Sequence, residues 1–288
     1  MGFWDGNQLI PWMRFAGERS NSNGFFVTAV FRVGLVWTRS GLSLHWAGMA
    51  DIYETDRYVG EYLLFHFGNP KEILPWPEGP EAALDFAVRT VEHFSKSLVE
   101  RSLDVGCAVG RSAMELGRTS GEVIGIDFSR AFIEAAQRVA RGEVLSVERL
   151  EEGHFKSGVE IVKPEGLSGD GVSFETGDAM DLRADLGQFD RVHAANLVCR
   201  LPEPRRFLER LPDLLVPGGE LVLATPCTWL EEFTQRENWP PGRTLDWLKT
   251  ELKSDFELVS TADEPFLIRE TARKFQWTVS MVSKWIRR

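Results

Sequence analysis

The 288-residue sequence contains little cysteine and no long apolar run. Its three cysteines stand at positions 107, 199 and 227, too few and too scattered for a disulfide framework or a zinc cluster. This usage favours a reducing compartment. No stretch approaches the roughly 18 consecutive apolar residues of a membrane span. We therefore predict a cytoplasmic protein with no metal site and no membrane association.

Basic residues are also in short supply. Lysine and arginine number 33 against 43 aspartates and glutamates, which gives a formal net charge of −10. A surface for DNA or RNA phosphates normally has a basic excess, so the charge argues against nucleic acid as a partner while leaving room for a local basic patch. The hydrophobic share of 43% and the charged share of 26% are ordinary for a globular protein, and the length suits one large or two small domains.

Residues 1–48 differ from the rest of the chain. They contain four arginines but one aspartate and one glutamate, and they are rich in Gly, Trp and Phe. A secretory signal would need a cleaner apolar core, because Arg32 interrupts the apolar stretch; an Arg-rich, acid-poor transit peptide is the other alternative. The string MAD at 49–51 is typical of a natural start. We predict a poorly packed N-terminal extension over 1–48, and a domain over 49–288 whose first part, 49–98, forms a helical cap or lid.

Two apolar runs that each end in an acid give the first indication of fold. The string LDVGCAVGR at residues 103–111 has the pattern of a strand, an acid and a glycine-rich turn, and VIGIDFS at 123–129 has that of a second strand ending in an acid. Together they are typical of the first βαβ unit of a dinucleotide-type fold.

The turn itself favours one class of ligand. It reads GxxxG rather than GxGxxG, and Ala108 stands where a middle glycine often occurs. A pyrophosphate needs close backbone approach along more of the loop. The turn therefore favours S-adenosylmethionine (SAM), which carries no phosphate.

Hydrophobic periodicity extends this unit along the chain. We predict helices at 51–67, 81–98, 110–118, 129–141, 204–215 and 244–254. We predict strands at 101–105, 122–127, 174–179, 189–196, 220–225, 256–261 and 274–283. The interval 142–171 is predicted to be an irregular insertion with a short hairpin near 159–162.

Five features in order carry a family resemblance: the DVGCAVG turn, Asp127, the GDA turn at 177–179, the FDRV strand at 189–192 and the PGG turn at 217–219. Over about 98–285 the chain resembles the class I SAM-dependent methyltransferases. The resemblance implies a Rossmann-like α/β fold: a seven-stranded, mostly parallel sheet whose last strand is antiparallel, with helices on both faces. It also implies SAM as cofactor and S-adenosylhomocysteine as product.

Three longer strings are similar to one subfamily. They are YETDRYVGEYLLFHFG at 53–68, NLVCRLP at 196–202 and TPCTWLEE at 225–232. They resemble the C-terminal methyltransferase domain of the ovothiol-synthesising enzymes, here over about 49–288 and without a sulfoxide synthase portion. That resemblance implies methyl transfer to an imidazole nitrogen of 5-thiohistidine (4-mercaptohistidine), the last step of ovothiol A biosynthesis.

The same resemblance implies roles for the cofactor side. Asp104 would hydrogen-bond toward the methionine amino group, Asp127 would take both ribose hydroxyls, and Asp178 would accept from the adenine amino group with the Ala179 N–H near the ring. Phe128 would stack on adenine or simply pack. The remaining predicted cofactor contacts lie in two turns: Gly106, Cys107, Ala108, Gly110, Asn196 and Leu197. Methyl transfer needs no nucleophile, so Cys107 is expected to be a small loop residue.

The substrate side is predicted from side-chain chemistry. A guanidinium offers a bidentate fork to a carboxylate, which makes Arg57 and Arg200 candidates for binding an amino-acid substrate. All three tyrosines of the chain fall within ten positions, while phenylalanine occurs 19 times. A buried phenol is favoured over Phe only if its hydroxyl has a partner. We therefore predict that Tyr58, Tyr62 and Asn196 orient the imidazole, with a helix-packing stripe as the alternative for the tyrosines. The other predicted substrate contacts are Tyr53, Thr228 and Trp229.

The histidines are predicted to play no catalytic part: His193 belongs in the core, and His66, His93 and His154 are structural or exposed. Three other functions remain open. The protein could be a class I methyltransferase for another small molecule, including one that methylates sulfur, or a catalytically silent SAM-binding module. A nicotinamide oxidoreductase is disfavoured by the GxxxG turn and the PGG strand pattern. The sequence does not fix the oligomeric state.

Overall fold

The computed structural model describes residues 51–288, so the predicted loose packing of residues 1–48 lies outside the described part of the chain. The described α-helices are α1 Asp56–Phe67, α2 Pro70–Ile73, α3 Phe86–Val91, α4 Arg111–Leu116, α5 Arg130–Ala140, α6 Pro204–Leu214 and α7 Thr244–Leu252. The described strands are β1 Val99–Val105, β2 Ser120–Asp127, β3 Leu145–Glu152, β4 Phe155–Ile161, β5 Val172–Thr176, β6 Phe189–Ala195, β7 Leu215–Thr225, β8 Phe256–Arg269 and β9 Phe275–Arg287.

Seven of these strands form one sheet in the order β5-β2-β1-β6-β7-β9-β8. The first five are parallel, and β9 runs antiparallel to both of its neighbours. This is the Rossmann-like sheet that the family resemblance implied, and the prediction is confirmed. The last two strands are much longer than predicted, because β8 and β9 continue past the end of β7 as a hairpin.

Each face of the sheet is covered by helices. Alternation along β1 sends Leu103 and Val105 into an apolar core with α6 and α7. The opposite face carries Asp104, and it packs against α1, α3, α4 and α5 through a second core that includes Leu63 and Phe132. None of the helices between residues 51 and 288 combines the length and apolar character needed to cross a membrane.

Two predicted helices are shorter in the structure. The first does not run from 51 to 67, because residues 51–54 form a 3-10 turn and Thr55 caps α1. The second does not run from 81 to 98. Asp85 has a φ of 56°, which breaks the chain into a 3-10 turn and the six-residue α3.

The predicted irregular insertion is regular. Residues 145–161 form the antiparallel β3–β4 hairpin, which is separate from the main sheet. It packs on α1, where a Cβ on Gly60 would lie 3.3 Å from the carbonyl oxygen of Glu148. The insertion therefore supports the helix that carries Tyr58 and Tyr62.

The topology creates a crevice at one edge of the sheet. From β1 the chain first builds outward to β2 and β5, then continues on the other side of β1 with β6 and β7. Ligands of such sheets bind beyond the carboxyl ends of the strands at this switch point. The turns after β1, β2, β5, β6 and β7 all lie at this edge. They contain every predicted cofactor residue except Asp104, which lies near the end of β1, and Asp127, which is the last residue of β2.

Candidate active site

The loop after β1 is fastened to the end of β2 by its own backbone. The N–H groups of Gly106 and Cys107 both donate to the carbonyl oxygen of Ile126, at 2.7 and 3.0 Å. Ala108 has a φ of 47°, and its N–H donates to Oδ2 of Asp127 at 2.9 Å. The loop and the acid at the end of β2 therefore form one rigid unit.

The glycines of this loop are required by protein packing. Gly106 and Gly110 have φ values of 75° and 89°, which L side chains rarely adopt. A Cβ on Gly106 would lie 3.1 Å from Leu197, and one on Gly110 would lie 2.7 Å from the ring of Phe174. The turn motif thus reflects close packing against two side chains, and contact of these glycines with a ligand stays a prediction.

Asp127 is buried at the end of β2 with both oxygens engaged. Besides the bond from Ala108, its Oδ1 accepts the N–H of Ser129 at 2.9 Å. Burial raises the pKa of this carboxyl to about 6, although both backbone donors favour the ionised form. Each oxygen keeps a second lone pair, so the ionised group can accept from a diol. The next ring, Phe128, is 46% exposed.

Asp104 is bonded to two side chains in the interior. Its Oδ1 lies 2.7 Å from Nδ1 of His193, and its Oδ2 accepts the Ser112 hydroxyl at 2.6 Å. None of the three residues is more than 5% exposed. Sheet register brings Asp104 and His193 together, because they are direct partners across β1 and β6. His193 is buried, as predicted, but it is a polar partner rather than core filling.

The turn after β5 is held to the same edge. Gly177 donates its N–H to the carbonyl oxygen of Asp127 at 2.9 Å. The exposed Asp178 accepts the N–H of Met180 at 2.8 Å, and Ala179 is buried. Asp178 therefore shapes its own turn and keeps one carboxylate oxygen for a ligand.

Asn196 follows β6 with a φ of 55°. Its N–H donates to the carbonyl oxygen of Ala224 at 2.8 Å, and its Oδ1 accepts the Ser280 hydroxyl at 2.6 Å. Because Oδ1 is engaged, a ligand would meet the Nδ2 donors. Leu197 lies against Gly106, so the exits of β6 and β1 are in contact.

The three tyrosines form a cluster beside this edge. The Tyr53 ring contacts Tyr58, Tyr62 and Phe128 edge to face, with centroid separations of 5.8, 6.1 and 5.6 Å. Burial raises the pKa of the Tyr53 and Tyr62 phenols, while the positive charge of Arg200 acts in the opposite direction. The phenols therefore stay protonated at neutral pH, with a cation close by.

Tyr53 and Tyr62 also pack against the protein interior, which was the alternative prediction for the tyrosines. Tyr62 lies 4.8 Å from Phe132, ring centroid to ring centroid, and both belong to the core around α1 and α5. The rings pack, and packing alone makes no use of the hydroxyls of Tyr53 and Tyr62. A stripe of phenylalanines would have packed equally well, which is why the hydroxyls call for a polar role.

Arg200 and Thr228 are brought together. Nη1 of Arg200 donates to the carbonyl oxygen of Thr228 at 2.8 Å, and Nη2 donates to its hydroxyl at 3.2 Å. The guanidinium also lies over the ring of Phe233, at 4.8 Å from the centroid. These contacts fix the guanidinium near Tyr53 and Tyr62.

Two other predicted substrate contacts have partners elsewhere. Arg57 is largely exposed and donates to Glu61 at 2.8 Å, one helical turn away. It lines a cavity of about 710 Å³ between α1, α5 and the β3–β4 hairpin. Trp229 donates its indole N–H to the Thr244 hydroxyl at 2.9 Å and packs on Trp247. Arg57 therefore forms an ion pair with Glu61, and Trp229 packs against α7.

His66 is a candidate that the sequence analysis missed. Its Nδ1 is buried and has no hydrogen-bond partner among the described residues. Arg111, the first residue of α4, donates to its carbonyl oxygen at 3.0 Å, which places His66 beside the cofactor loop. Burial, aided by the positive charge of Arg111, lowers the pKa of its imidazole to about 3. The available signal was its spacing of four from Tyr62 on α1.

Comparison with known proteins finds a family match over part of the chain. Residues 103–223 match the family described as a methyltransferase domain. The methyltransferase GfsG of Streptomyces halstedii is 29% identical over 163 residues, which are 55% of this chain and 49% of GfsG. The probable chloroplastic tocopherol O-methyltransferase of Oryza sativa subsp. japonica is 31% identical over 191 residues, which are 62% of this chain and 46% of that protein. The chain thus spans about half the length of these relatives.

Residues 103–223 are thus similar to a methyltransferase domain, and both of these relatives are methyltransferases. Among solved structures, the [4+2]-cyclase SpnF has the same fold, with a TM-score of 0.51 and 20% identity over 76% of each chain. That likeness shows the fold alone, and a cyclase on it shows that a methyltransferase fold does not fix the reaction.

The residues at the carboxyl edge fit SAM, the cofactor that the family resemblance implies. Asp127 has lone pairs for a ribose diol, and the exposed ring of Phe128 offers a stacking surface beside it. Asp104 offers a fixed carboxylate for an amino group. Within residues 51–288 no three His, Cys, Asp or Glu side chains cluster so as to hold a metal ion.

Proposed function

We propose that this methyltransferase transfers a methyl group from SAM to the imidazole nitrogen of 5-thiohistidine that lies beside the side-chain carbon. The observation that carries the proposal is the contact between two half-buried tyrosines, Tyr53 and Tyr62, with the Arg200 guanidinium nearby. A cation and neutral hydroxyls set among aromatic rings suit a zwitterion with an aromatic side chain. The three strings shared with the ovothiol subfamily support the same substrate.

Arg200 is the better candidate for the substrate carboxylate. Arg57 is neutralised by Glu61, whereas the described partners of Arg200 are carbonyl, hydroxyl and thiol groups of Thr228 and Cys199. Its charge is therefore uncompensated by a carboxylate in direct contact. A guanidinium held in one orientation binds a carboxylate with little further loss of side-chain entropy.

The chemistry requires orientation more than a strong base. When bound, SAM supplies an electrophilic methyl carbon whose bond to sulfur breaks as the electron pair returns to sulfur. A neutral imidazole has one lone pair and one N–H, so the protein must select the tautomer whose lone pair faces the methyl group. The proton on the other ring nitrogen then leaves to solvent, because methylation acidifies the ring.

We assign that selection to Asn196, Tyr62 and His66. The Nδ2 donors of Asn196 and the phenol of Tyr62 can hydrogen-bond ring or sulfur atoms. The Nδ1 of His66 is buried and, if it carries the lone pair, can accept an N–H. Since its pKa is near 3, His66 accepts a hydrogen bond without keeping a proton at neutral pH. Most of the rate enhancement is expected from proximity and orientation.

The test is incubation with SAM and 5-thiohistidine, with histidine in parallel, followed by mass spectrometry and NMR of the product. A ring-methylated thiohistidine with histidine unreacted supports the proposal. Methyl on sulfur, or no product despite measured SAM binding, rejects it. The matched pair Tyr62→Phe and Phe65→Tyr separates loss of a hydroxyl from a general change on α1, and only Tyr62→Phe should raise KM for thiohistidine.

A second candidate is methyl transfer to another small molecule. Relatives of the chain include a probable tocopherol O-methyltransferase, and a phenolic acceptor must lose its proton. The buried Nδ1 of His66 is the one observation that favours this second function, since a neutral imidazole nitrogen can accept the hydrogen bond of an O–H group and orient it. A screen of phenols and thiols with the same mass readout distinguishes the two.

A further inference from the structure

Asp104, His193 and Ser112 form a hydrogen-bonded triad beneath the cofactor loop. The bonds to the Asp104 carboxylate are 2.7 Å from the imidazole and 2.6 Å from the hydroxyl. The three residues come from β6, β1 and the first turn of α4, so the triad ties three elements of the crevice together. A buried carboxylate is costly unless it is hydrogen-bonded, and these two donors satisfy one lone pair on each oxygen.

The second nitrogen of His193 indicates which atom carries the proton. Nε2 is buried without a hydrogen-bond partner in the described structure, whereas Nδ1 faces Asp104. An N–H on Nδ1 satisfies the carboxylate, and an N–H on Nε2 would be left unpaired. The imidazole therefore donates from Nδ1 and fixes the direction of the remaining Asp104 lone pairs.

We propose that His193 is a positioning residue for the cofactor: with Ser112 it holds the Asp104 carboxylate ready for the α-amino group of SAM. This inference rests on the proposed role of Asp104 at that amino group. Holding the acceptor in place before binding lowers the cost of ordering it in the complex. The effect should be confined to the amino-acid half of the cofactor, because the adenosine half is assigned to Asp127 and Phe128.

The experiment measures binding of two ligands by calorimetry. S-adenosylhomocysteine contains the amino-acid half, and 5′-methylthioadenosine contains the adenosine half without it. His193→Leu should weaken S-adenosylhomocysteine about tenfold or more, the usual size for losing a hydrogen bond to a charged group. It should leave 5′-methylthioadenosine unchanged. His193→Asn, whose amide nitrogen takes the place of Nδ1, should restore binding.

A matched control exists outside the site. His93 lies 2.9 Å from Glu264 through its Nε2, another histidine–carboxylate pair. His93→Leu should leave the affinity for both ligands at the wild-type value. If His193→Leu does not fold, Ser112→Ala removes the other donor and should give the same selective loss for S-adenosylhomocysteine.

Three results would overturn the inference. One is that His193→Leu and Ser112→Ala each bind S-adenosylhomocysteine as tightly as the wild type, although the separate variant Asp104→Asn binds it more weakly. Another is an equal loss for both ligands, which means general damage to the crevice. If the wild type binds neither ligand, the cofactor site itself is wrong, and that failure is distinct from the other two.

Discussion

Ser280 donates a hydrogen bond of 2.6 Å from its hydroxyl to Oδ1 of Asn196, joining two residues 84 positions apart at the end of β6. The bond fixes which end of the amide meets a ligand. Asn196→Asp keeps the bond to Ser280 but replaces the Nδ2 donors with an oxygen. We expect kcat/KM for 5-thiohistidine to fall about a hundredfold, the usual size for losing one oriented donor.

Ser280→Ala is the companion to that substitution. It keeps the amide and frees its rotation, so we expect a smaller loss, about tenfold or less. Steady-state kinetics of both variants measures these losses in kcat/KM. An Asn196→Asp enzyme with the wild-type kcat/KM would show that the amide does not donate to substrate.

Cofactor binding should weaken in acid because of Asp127. Burial raises the pKa of its carboxyl to about 6, and only the ionised form accepts from both ribose hydroxyls and both backbone donors. As pH falls through 6 the group takes up a proton, so affinity is lost on the acid side. Linkage with this pKa gives about tenfold weaker binding of S-adenosylhomocysteine at pH 5 than at pH 7.5. Asp127→Asn should bind weakly and show no such slope, and a parallel slope in that variant would assign the titration to another group.

His66 should make the folded protein sensitive to acid. The pKa of its imidazole is about 3 in the folded protein against 6.5 for the ordinary group. Between these values the unfolded chain binds a proton that the folded protein does not, so stability is lost as pH falls below 6.5. At pH 5 this one group accounts for about 2 kcal/mol.

Urea unfolding at pH 7.5 and pH 5 measures that contribution. The loss of unfolding free energy on acidification should be about 2 kcal/mol smaller in His66→Phe than in the wild type. His154 is exposed, so His154→Phe should follow the wild type. Equal losses in all three proteins would mean that His66 is hydrated and titrates freely.

Gly110 and Gly142 allow strain and crowding to be separated. Both have a left-handed φ, 89° and 82°, but a Cβ at 110 would meet Phe174 and Ala136 while a Cβ at 142 meets nothing within 4 Å. Gly142→Ala should cost about 1–2 kcal/mol from φ alone. Gly110→Ala should cost about 1–3 kcal/mol more, because it also overpacks the core. Thermal unfolding of both variants measures the difference, and equal costs would contradict the packing explanation.

The sheet was predictable because its strands are strongly apolar and end in recognisable residues. Leu103 to Asp104 and Ile126 to Asp127 mark the ends of β1 and β2, and burial on both faces makes such runs hard to mistake. Helix ends were less predictable. Leu84, Val88 and Val91 have helical spacing in the sequence, but the left-handed Asp85 interrupts the helix. Phe86 and Ala87 are buried, while Leu84 and Val91 are only partly buried.

In the candidate site, too, some features could be predicted from local sequence and others could not. The acids at strand ends follow from local sequence, whereas the Asp104–His193 bond depends on the register of strands 89 positions apart. The Arg57–Glu61 pair was within reach of the sequence, because residues four apart on a helix are neighbours. Arg200 could not be preferred over Arg57 without that pairing and the position of Thr228.

The burial of Cys107 makes its thiol a reporter of how often the loop after β1 opens. Cys107 and Cys199 are buried and Cys227 is exposed, and burial raises the pKa of the Cys107 thiol well above its usual range. Thiol reagents attack the thiolate, so Cys107 should react only when the loop detaches from β2. In a protein whose other two cysteines are replaced by alanine, the rate at which a thiol reagent modifies Cys107 measures how often the loop opens. A bound nucleoside should lower that rate. A thiol that we expect to take no part in the chemistry thus records how often the loop opens when no ligand is bound.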